Sequence, residues 1–531
     1  MKLLPLCVAA MILALTGCQA DLPDADTRST MFAGKAIVAV PGTPMKLVPQ
    51  QLPRTEHDGV RVSVVVPRGR VTDAGQLLLL DHQGEPVPAR RRVRLHWPTT
   101  HSGPHGIRVI ELEIAGNPAT LFEQTFYLRL VDEAASDAGE SLQHPLTAVA
   151  MLAPQWHIDA MLFGRGRAIS DSTHWFDQSL VGFTHTATNR VPESVKENER
   201  IRLDDHEPWL FDRAGVLFQV YFRSGIPWHF AEAEQASRLY ANLLDPDGSF
   251  RLRRGDLKYV YPRSLLYRWM LFNEEHQAGH ITRMARLAES WTADGQSARF
   301  WTERHVNYAL AAAVHAWELT GEARHRQRID VLLDDLLQMT QAQAEDGRPY
   351  HCPAHRMEAH EGKQSDTLIC SPWMMALLGQ TLDYYYQLSD DPRAAGLLAD
   401  FHQYLLTDGL YRVGADSGDV KLRGMLLPWY LAGRDYGFSD NGPFGDLEHS
   451  CDVAGLLARS ADVRRRLEPL PASHDSTLAA LMKSCEFNLR MWHRPGSDSQ
   501  HGKPVWRLSP PRKYNWWFGT TQELTWFLSA P

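Results

Sequence analysis

Residues 304–320 read RHVNYALAAAVHAWELT, residues 321–324 GEAR, and residues 325–341 HRQRIDVLLDDLLQMTQ. Apolar residues recur at helical spacing through both long runs, and Gly321 stands where the chain must turn. This is a helical hairpin. Its first arm is the more apolar and carries the small residues Ala309, Ala311, Ala312 and Ala313. That arm belongs inside a larger assembly, with the second arm outside. The alternation repeats in both directions. Residues 209–223 pair with 228–244, 264–275 with 281–291, 372–388 with 393–406, and 447–460 with 476–492. Residues 516–528 read as a last inner helix, whose partner comes from 172–187 and closes the ring end to start. One hairpin cannot bury its apolar face alone; several closing in a circle can.

A polar cluster precedes each inner helix, at 204–207, 258–263, 303–307, 365–366, 446–452 and 513–515. Closure brings all of them to one end of the ring. Helix N-termini aimed at a shared cleft favour a carboxylate-bearing ligand by about 0.3–1 kcal/mol each. The run from Ala309 to Thr320-Gly321-Glu322 also resembles the repeat unit of six-hairpin sugar enzymes, whose inner helix ends in a Thr-Gly-acid turn.

A chain of 531 residues exceeds one ordinary core, so several domains are expected. Hydrophobic content of 44% and charged content of 22% describe a folded body. The net charge of −8 argues against a nucleic-acid partner, while a few arginines in one cleft still suit an acidic sugar polymer.

Lys2 followed by apolar residues 3–15 has the form of a signal sequence. It ends in Leu15-Thr16-Gly17-Cys18, which resembles the lipobox of bacterial lipoproteins. The resemblance implies cleavage before Cys18, lipidation of that cysteine and, with Gln19 next, an outer-membrane protein facing the periplasm or the surface. The membrane is then reached through lipid alone. Cys352, Cys370, Cys451 and Cys485 remain, an even number in an oxidising compartment, with three connectivities open and Cys352–Cys370 favoured as a short loop closure. No paired CxxC is present, and neither metal nor cofactor is expected.

Between residues 60 and 132 the reading changes. Short β-prone runs at 62–66, 77–80, 91–95, 107–114 and 126–131 are punctuated by Gly69, Gly75, Gly84, Pro88, Gly103 and Gly116. The expectation is a multi-domain α+β protein: signal 1–17, lipidated N-terminus and linker 18–54, an antiparallel β-barrel or sandwich at 55–150, and an (α/α) toroid of helical hairpins at 151–531. The order Val66-Pro67-Arg68-Gly69, Leu79-Leu80-Asp81, Gly84-Glu85-Pro86-Val87-Pro88 and Leu95-His96-Trp97-Pro98 resembles the front barrel of exo-rhamnogalacturonan lyase-like proteins, which join such a barrel to a toroid. This sequence departs at Thr99-Thr100, where that family continues with Asp-Gly.

Two chemistries suit a sugar-binding ring. A uronate lyase needs a base, an acid and groups that neutralise the carboxylate. His305 or His206 are the base candidates and Tyr261 or Tyr514 the acids. Arg263, Arg304 and Asn307 are the neutralising groups. A hydrolase instead needs two opposed carboxyls, drawn from Asp204, Asp205 or Glu207 on one side and Asp366 or Glu448 on the other. His449 and Trp516 are further substrate contacts. A lipoprotein that binds acidic polysaccharide without cleaving it is the third reading. Each candidate also has a structural role open to it, above all helix capping by the aspartates.

Overall fold

The computed structural model describes residues 42–54, 56–98, 106–136, 139–188, 200–291, 302–360, 367–493 and 508–529. The signal sequence, Cys18 and Asp366 lie outside the described residues. Among the described residues no helix is long and apolar enough to cross a membrane.

The front of the chain forms β1 (Thr43–Pro49), β2 (Gly59–Val65), β3 (Leu77–Leu80), β4 (Arg90–His96), β5 (Ile107–Ala115), β6 (Thr125–Leu130) and β7 (Pro145–Leu152). They make one sheet in the order β3-β6-β1-β7-β2-β5-β4, with short helices α1 (Pro118–Glu123) and α2 (Pro154–Asp159) beside it. This corrects the expected closed antiparallel barrel or sandwich. The sheet is single, and its β2–β7 pair runs parallel. Edge strands β3 and β4 share no ladder, although the sheet curls far enough for Arg91 Nε to donate to the Leu77 carbonyl at 2.9 Å. Strand β1 arises within the stretch read as linker. It is held on both sides, by β6 and β7.

Side chains alternate across this sheet as the two-residue period requires. Val60, Val62 and Val64 join Ile110, Leu112 and Ile114 in a core inside the curl. Val65, Val109, Val149 and Met151 face the other way and merge with the helical core.

The ring begins after α3 (Trp175–Ala187). Its hairpins are α4 (Arg213–Ser224) with α5 (Pro227–Asn242), α6 (Pro262–Phe272) with α7 (Gln277–Glu289), α8 (Glu303–Thr320) with α9 (Ala323–Thr340), and α10 (Pro372–Ser389) with α11 (Pro392–Thr407). After the short α12 (Gly442–Leu447) come α13 (Ser450–Arg464) with α14 (His474–His493), then α15 (Arg512–Gly519) and α16 (Leu524–Ser529). Helices α4, α6, α8, α10, α13 and α15 each touch the next, and α15 returns to α4. Helix α3 packs on α14 and α15, on the outside of the ring. The inner helices are buried on nearly every side, whereas α5, α7 and α9 bury one face.

Local chemistry sets the breaks. Gly225 takes φ +64° and its N–H closes on the Tyr221 carbonyl at 2.8 Å, after which Pro227 starts the next helix. The inner helices approach closely: a Cβ on Gly379 of α10 would stand 2.4 Å from Leu456 of α13. Cys352 pairs with Cys370 ahead of α10, and Cys451 with Cys485 between α13 and α14.

Sheet and ring meet through buried charge. Arg108 on β5 reaches Glu318 on α8 at 2.9 Å, both side chains being almost wholly buried. The guanidinium lies 3.8 Å from the centre of the Trp97 ring and also donates to the Ala160 carbonyl. Tyr384 on α10 donates to the same carboxylate at 2.9 Å. Removing one partner of a buried pair strands the other charge, so Arg108→Met should lower unfolding free energy by about 3–5 kcal/mol. Urea denaturation of Arg108→Met, Glu318→Gln and the double variant checks this. The double loss should be smaller than the sum of the single ones.

Candidate functional site

The inner helices surround a partly open pocket. Its wall comes from α4, α6, α8, α10 and α15 and from the residues just ahead of α4 and α6. Ahead of α4, Phe211 and Asp212 both take left-handed backbone conformations, φ +67° and +57°. Such geometry is costly for residues with a Cβ and is kept only where surroundings enforce it. Here the Phe211 N–H donates to the Tyr261 hydroxyl at 2.9 Å, and Asp212 Oδ1 caps α4 by accepting from the Gly215 N–H at 3.0 Å. The kink sets the Asp212 carboxyl in the cavity wall. Burial pushes that carboxyl up from its ordinary range, against the opposing pull of Arg263, the Gly215 amide and His315.

Helix α8 contributes one face of side chains, Asn307, Tyr308, Ala311 and His315. Thr381 donates to Asn307 Oδ1 at 2.7 Å, which leaves the Asn307 amide NH₂ as the donor end. His315 Nδ1 lies 3.4 Å from Glu318 Oε2, so the carboxylate anchored by Arg108 also orients this ring and leaves Nε2 on the cavity side. Burial holds the His315 imidazole below its usual range, favouring the neutral ring. Burial raises the Tyr308 phenol, keeping its proton in place. The buried Tyr308 Oη faces the Tyr261 phenol, and the buried Oδ1 of Asn515, which is held through Nδ2 to the carbonyls of Pro208 and Leu210, has no hydrogen-bond partner among the described residues. Arg263 lines the cavity without a hydrogen bond or ion pair to any described residue.

Phe211 connects the cavity to an aromatic cluster. Its ring is 6.1 Å from Trp373 and 5.9 Å from Trp516. His449 lies between these tryptophans, 4.9 and 4.3 Å away. Trp516 Nε1 donates to Asp452 at 2.7 Å, and Arg304 sits 5.6 Å from the Trp373 ring centre.

Of the residues singled out from sequence, Tyr261, Arg263 and Asn307 line the cavity, while Arg304, His449 and Trp516 belong to the adjoining cluster. Of the other described candidates, none has its reactive group free at the cavity. His305 stacks on Trp291 at 5.1 Å and shares a 2.7 Å hydrogen bond with Thr302, because its position on α8 points away from the ring centre. Tyr514 bonds Thr184 of α3 at 2.8 Å, on the outer side of α15. His206 is at the surface with Asp205 and Arg253. The Tyr261 hydroxyl is committed to Phe211 and to the Lys258 carbonyl. Asp212, Tyr308 and His315 escaped the sequence reading. Tyr308 and His315 lie one and three turns beyond Arg304 on a single helix face, a spacing that was there to be used.

The fold also brings donor atoms of Glu303, His355 and His360 within 4.8 Å of one another, away from the cavity wall. Burial pushes Glu303 up to about 8.

No family model matches the sequence, and no curated protein matches it. Solved structures of similar shape include an unsaturated glucuronyl hydrolase from Streptococcus agalactiae, at 11% identity and TM-score 0.39 over 65% of this chain and 89% of that one. An α-1,6-mannanase of Salegentibacter sp. aligns at 11% and 0.39 over 66% and 99%. A cellobiose 2-epimerase from Bacillus thermoamylovorans aligns at 10% and 0.41 over 65% and 98%. At this identity and overlap they assign neither a family nor an activity to the chain.

His305 provides a test of the buried end of α8. Burial, with Arg304 and Lys258 adding to it, pushes its imidazole down to about 3, from an ordinary value of 6.5. The unfolded chain therefore takes up a proton that the folded chain refuses. Its contribution to stability is whole above pH 6.5 and is lost as pH falls toward 3. Melting temperature should drop as the buffer is taken from neutral into that window, and His305→Asn should drop less steeply. Equal slopes would show that His305 is not shielded.

Proposed function

We propose that the chain is a carbohydrate-active enzyme that cleaves a uronate-containing glycan by β-elimination, exported and tethered through lipid on Cys18. The observation that carries this reading is the joint presence of Arg263, Asn307, Tyr308 and His315 around one cavity. These are the groups that elimination requires.

Arg263, with no protein carboxylate bound to it, and the Asn307 amide take the uronate carboxylate. Neutralising that charge lowers the cost of forming a carbanion beside it. His315 Nε2 removes the proton from the carbon bearing the carboxylate. The electron pair forms a double bond to the adjacent ring carbon, and the bond from that carbon to the glycosidic oxygen breaks. The Tyr308 phenol delivers a proton to the departing oxygen. A neutral imidazole and a protonated phenol are the starting forms that burial favours for these two groups.

Asp212 favours a second reading. A carboxyl whose proton affinity is raised by burial suits the acid role of a glycoside hydrolase.

The deciding experiment incubates the protein with pectic, alginate and glycosaminoglycan polymers while following ultraviolet absorbance of the unsaturated product. Absorbance should rise for at least one polymer, and His315→Ala and Tyr308→Phe should each lower kcat by about 10²–10⁴-fold. Arg263→Ala should also raise KM. Reducing ends released without absorbance, and abolished by Asp212→Asn, would replace the lyase with a hydrolase. Retention on immobilised glycan with neither product would leave a binding protein.

A further inference from the structure

The loop closed by the Cys352–Cys370 disulfide carries histidines that the cavity chemistry leaves unused. His355 lies in β8 (His355–Arg356), which pairs antiparallel with β9 (Leu368–Ile369), and His360 follows one short turn later. Their Nε2 atoms are 3.0 Å apart. Glu303, in the first turn of α8, places Oε2 3.8 Å from His355 Nε2. One donor atom from each residue lies within 4.8 Å of the others. All three side chains are buried, at 0%, 1% and 3% exposure for Glu303, His355 and His360.

The surroundings orient these groups as ligands. His355 Nδ1 meets the Pro353 carbonyl at 3.0 Å, which places the ring proton there and turns the Nε2 lone pair toward the cluster. Glu303 Oε1 accepts from the Ser371 N–H at 2.6 Å, while Oε2 has no hydrogen bond among the described residues. Tetrahedral Zn²⁺ bound at about 2.0–2.1 Å holds two nitrogens roughly 3.3 Å apart, within a small side-chain adjustment of the spacing found.

We propose that Glu303 Oε2, His355 Nε2 and His360 Nε2 bind one divalent transition-metal ion, with Zn²⁺ the best match. Two imidazoles and one carboxylate suit a borderline-soft ion, whereas Ca²⁺ and Mg²⁺ select all-oxygen sites. The fourth position falls to water. Four cysteines are taken up in disulfides, so thiolate does not compete among the described residues. The ion is structural. It ties the disulfide loop to the first turn of α8, whose Ser371 contact also reaches the start of α10. The helix so pinned presents Asn307, Tyr308 and His315 to the cavity.

The test strips the full folded chain with a chelator and titrates Zn²⁺ by calorimetry, with Co²⁺ spectra as a second probe. One equivalent should bind, raise the melting temperature and, for Co²⁺, produce the visible bands of a tetrahedral site. His360→Ala and His355→Gln should each lose that equivalent and the thermal shift, with circular dichroism confirming that they fold. His351→Ala, on the same loop but bonded to Asp400 at 2.8 Å, should keep both. Failure of the wild type to bind an equivalent overturns the proposal. So does undiminished binding in the His355 and His360 variants, which would place the ion elsewhere, for example at the buried His402–His474 pair.

Discussion

The front sheet and the helical ring are joined by a buried ion pair, Arg108 with Glu318. A carboxylate enclosed by helices is tolerable only when its charge is matched and its oxygens are hydrogen-bonded. Burial alone would raise Glu318; Arg108, His315 and Tyr384 together hold it below its usual range. The cation comes from the sheet and the anion from the ring, so neither part is electrostatically complete without the other. The pair also fixes His315, and through that ring it reaches the cavity. Through Glu318 the front sheet thereby bears on His315 at the cavity wall.

The second constraint is closure. Inner helices that touch on both sides cannot shift independently, and their starts are pinned by devices of different chemistry. Asp212 caps α4 from a left-handed conformation, a bond network through Tyr240 and Tyr261 precedes α6, and the Glu303 carboxylate receives the Ser371 amide at α10. A cavity lined by such residues has its polar groups positioned before any ligand arrives. Such preorganisation is what the proposed elimination would draw on, since stabilising groups already in place need not be reordered during reaction.

Some of this was legible in the chain. The alternation at 304–341 announces α8 and α9 to within a residue or two, because a long amphipathic period with a glycine stop has few other solutions. Helix α3 was correctly sought as the closing partner for the last inner helix. The break between α15 and α16 at Thr520–Glu523 was not anticipated; there Thr521 packs against Gly455 of α13. Strands β1 and β7 were missed too. Each is central to the sheet, yet TPMKLVP and PLTAVAML carry prolines and weak β-propensity that only strand pairing on both sides overrides.

Sequence by itself determined the helical hairpins, the presence of an arginine and an amide at Arg263 and Asn307, and the even set of four cysteines. These follow from short-range periodicity and from side-chain type, which need no knowledge of what lies across the ring. Only the tertiary structure decided that His315 and Tyr308 face the cavity while the neighbouring His305 turns away, and that Glu303 meets His355 and His360. Neighbours on a helix diverge by about 100° per residue, so which of them reaches a shared space depends on partners far along the chain.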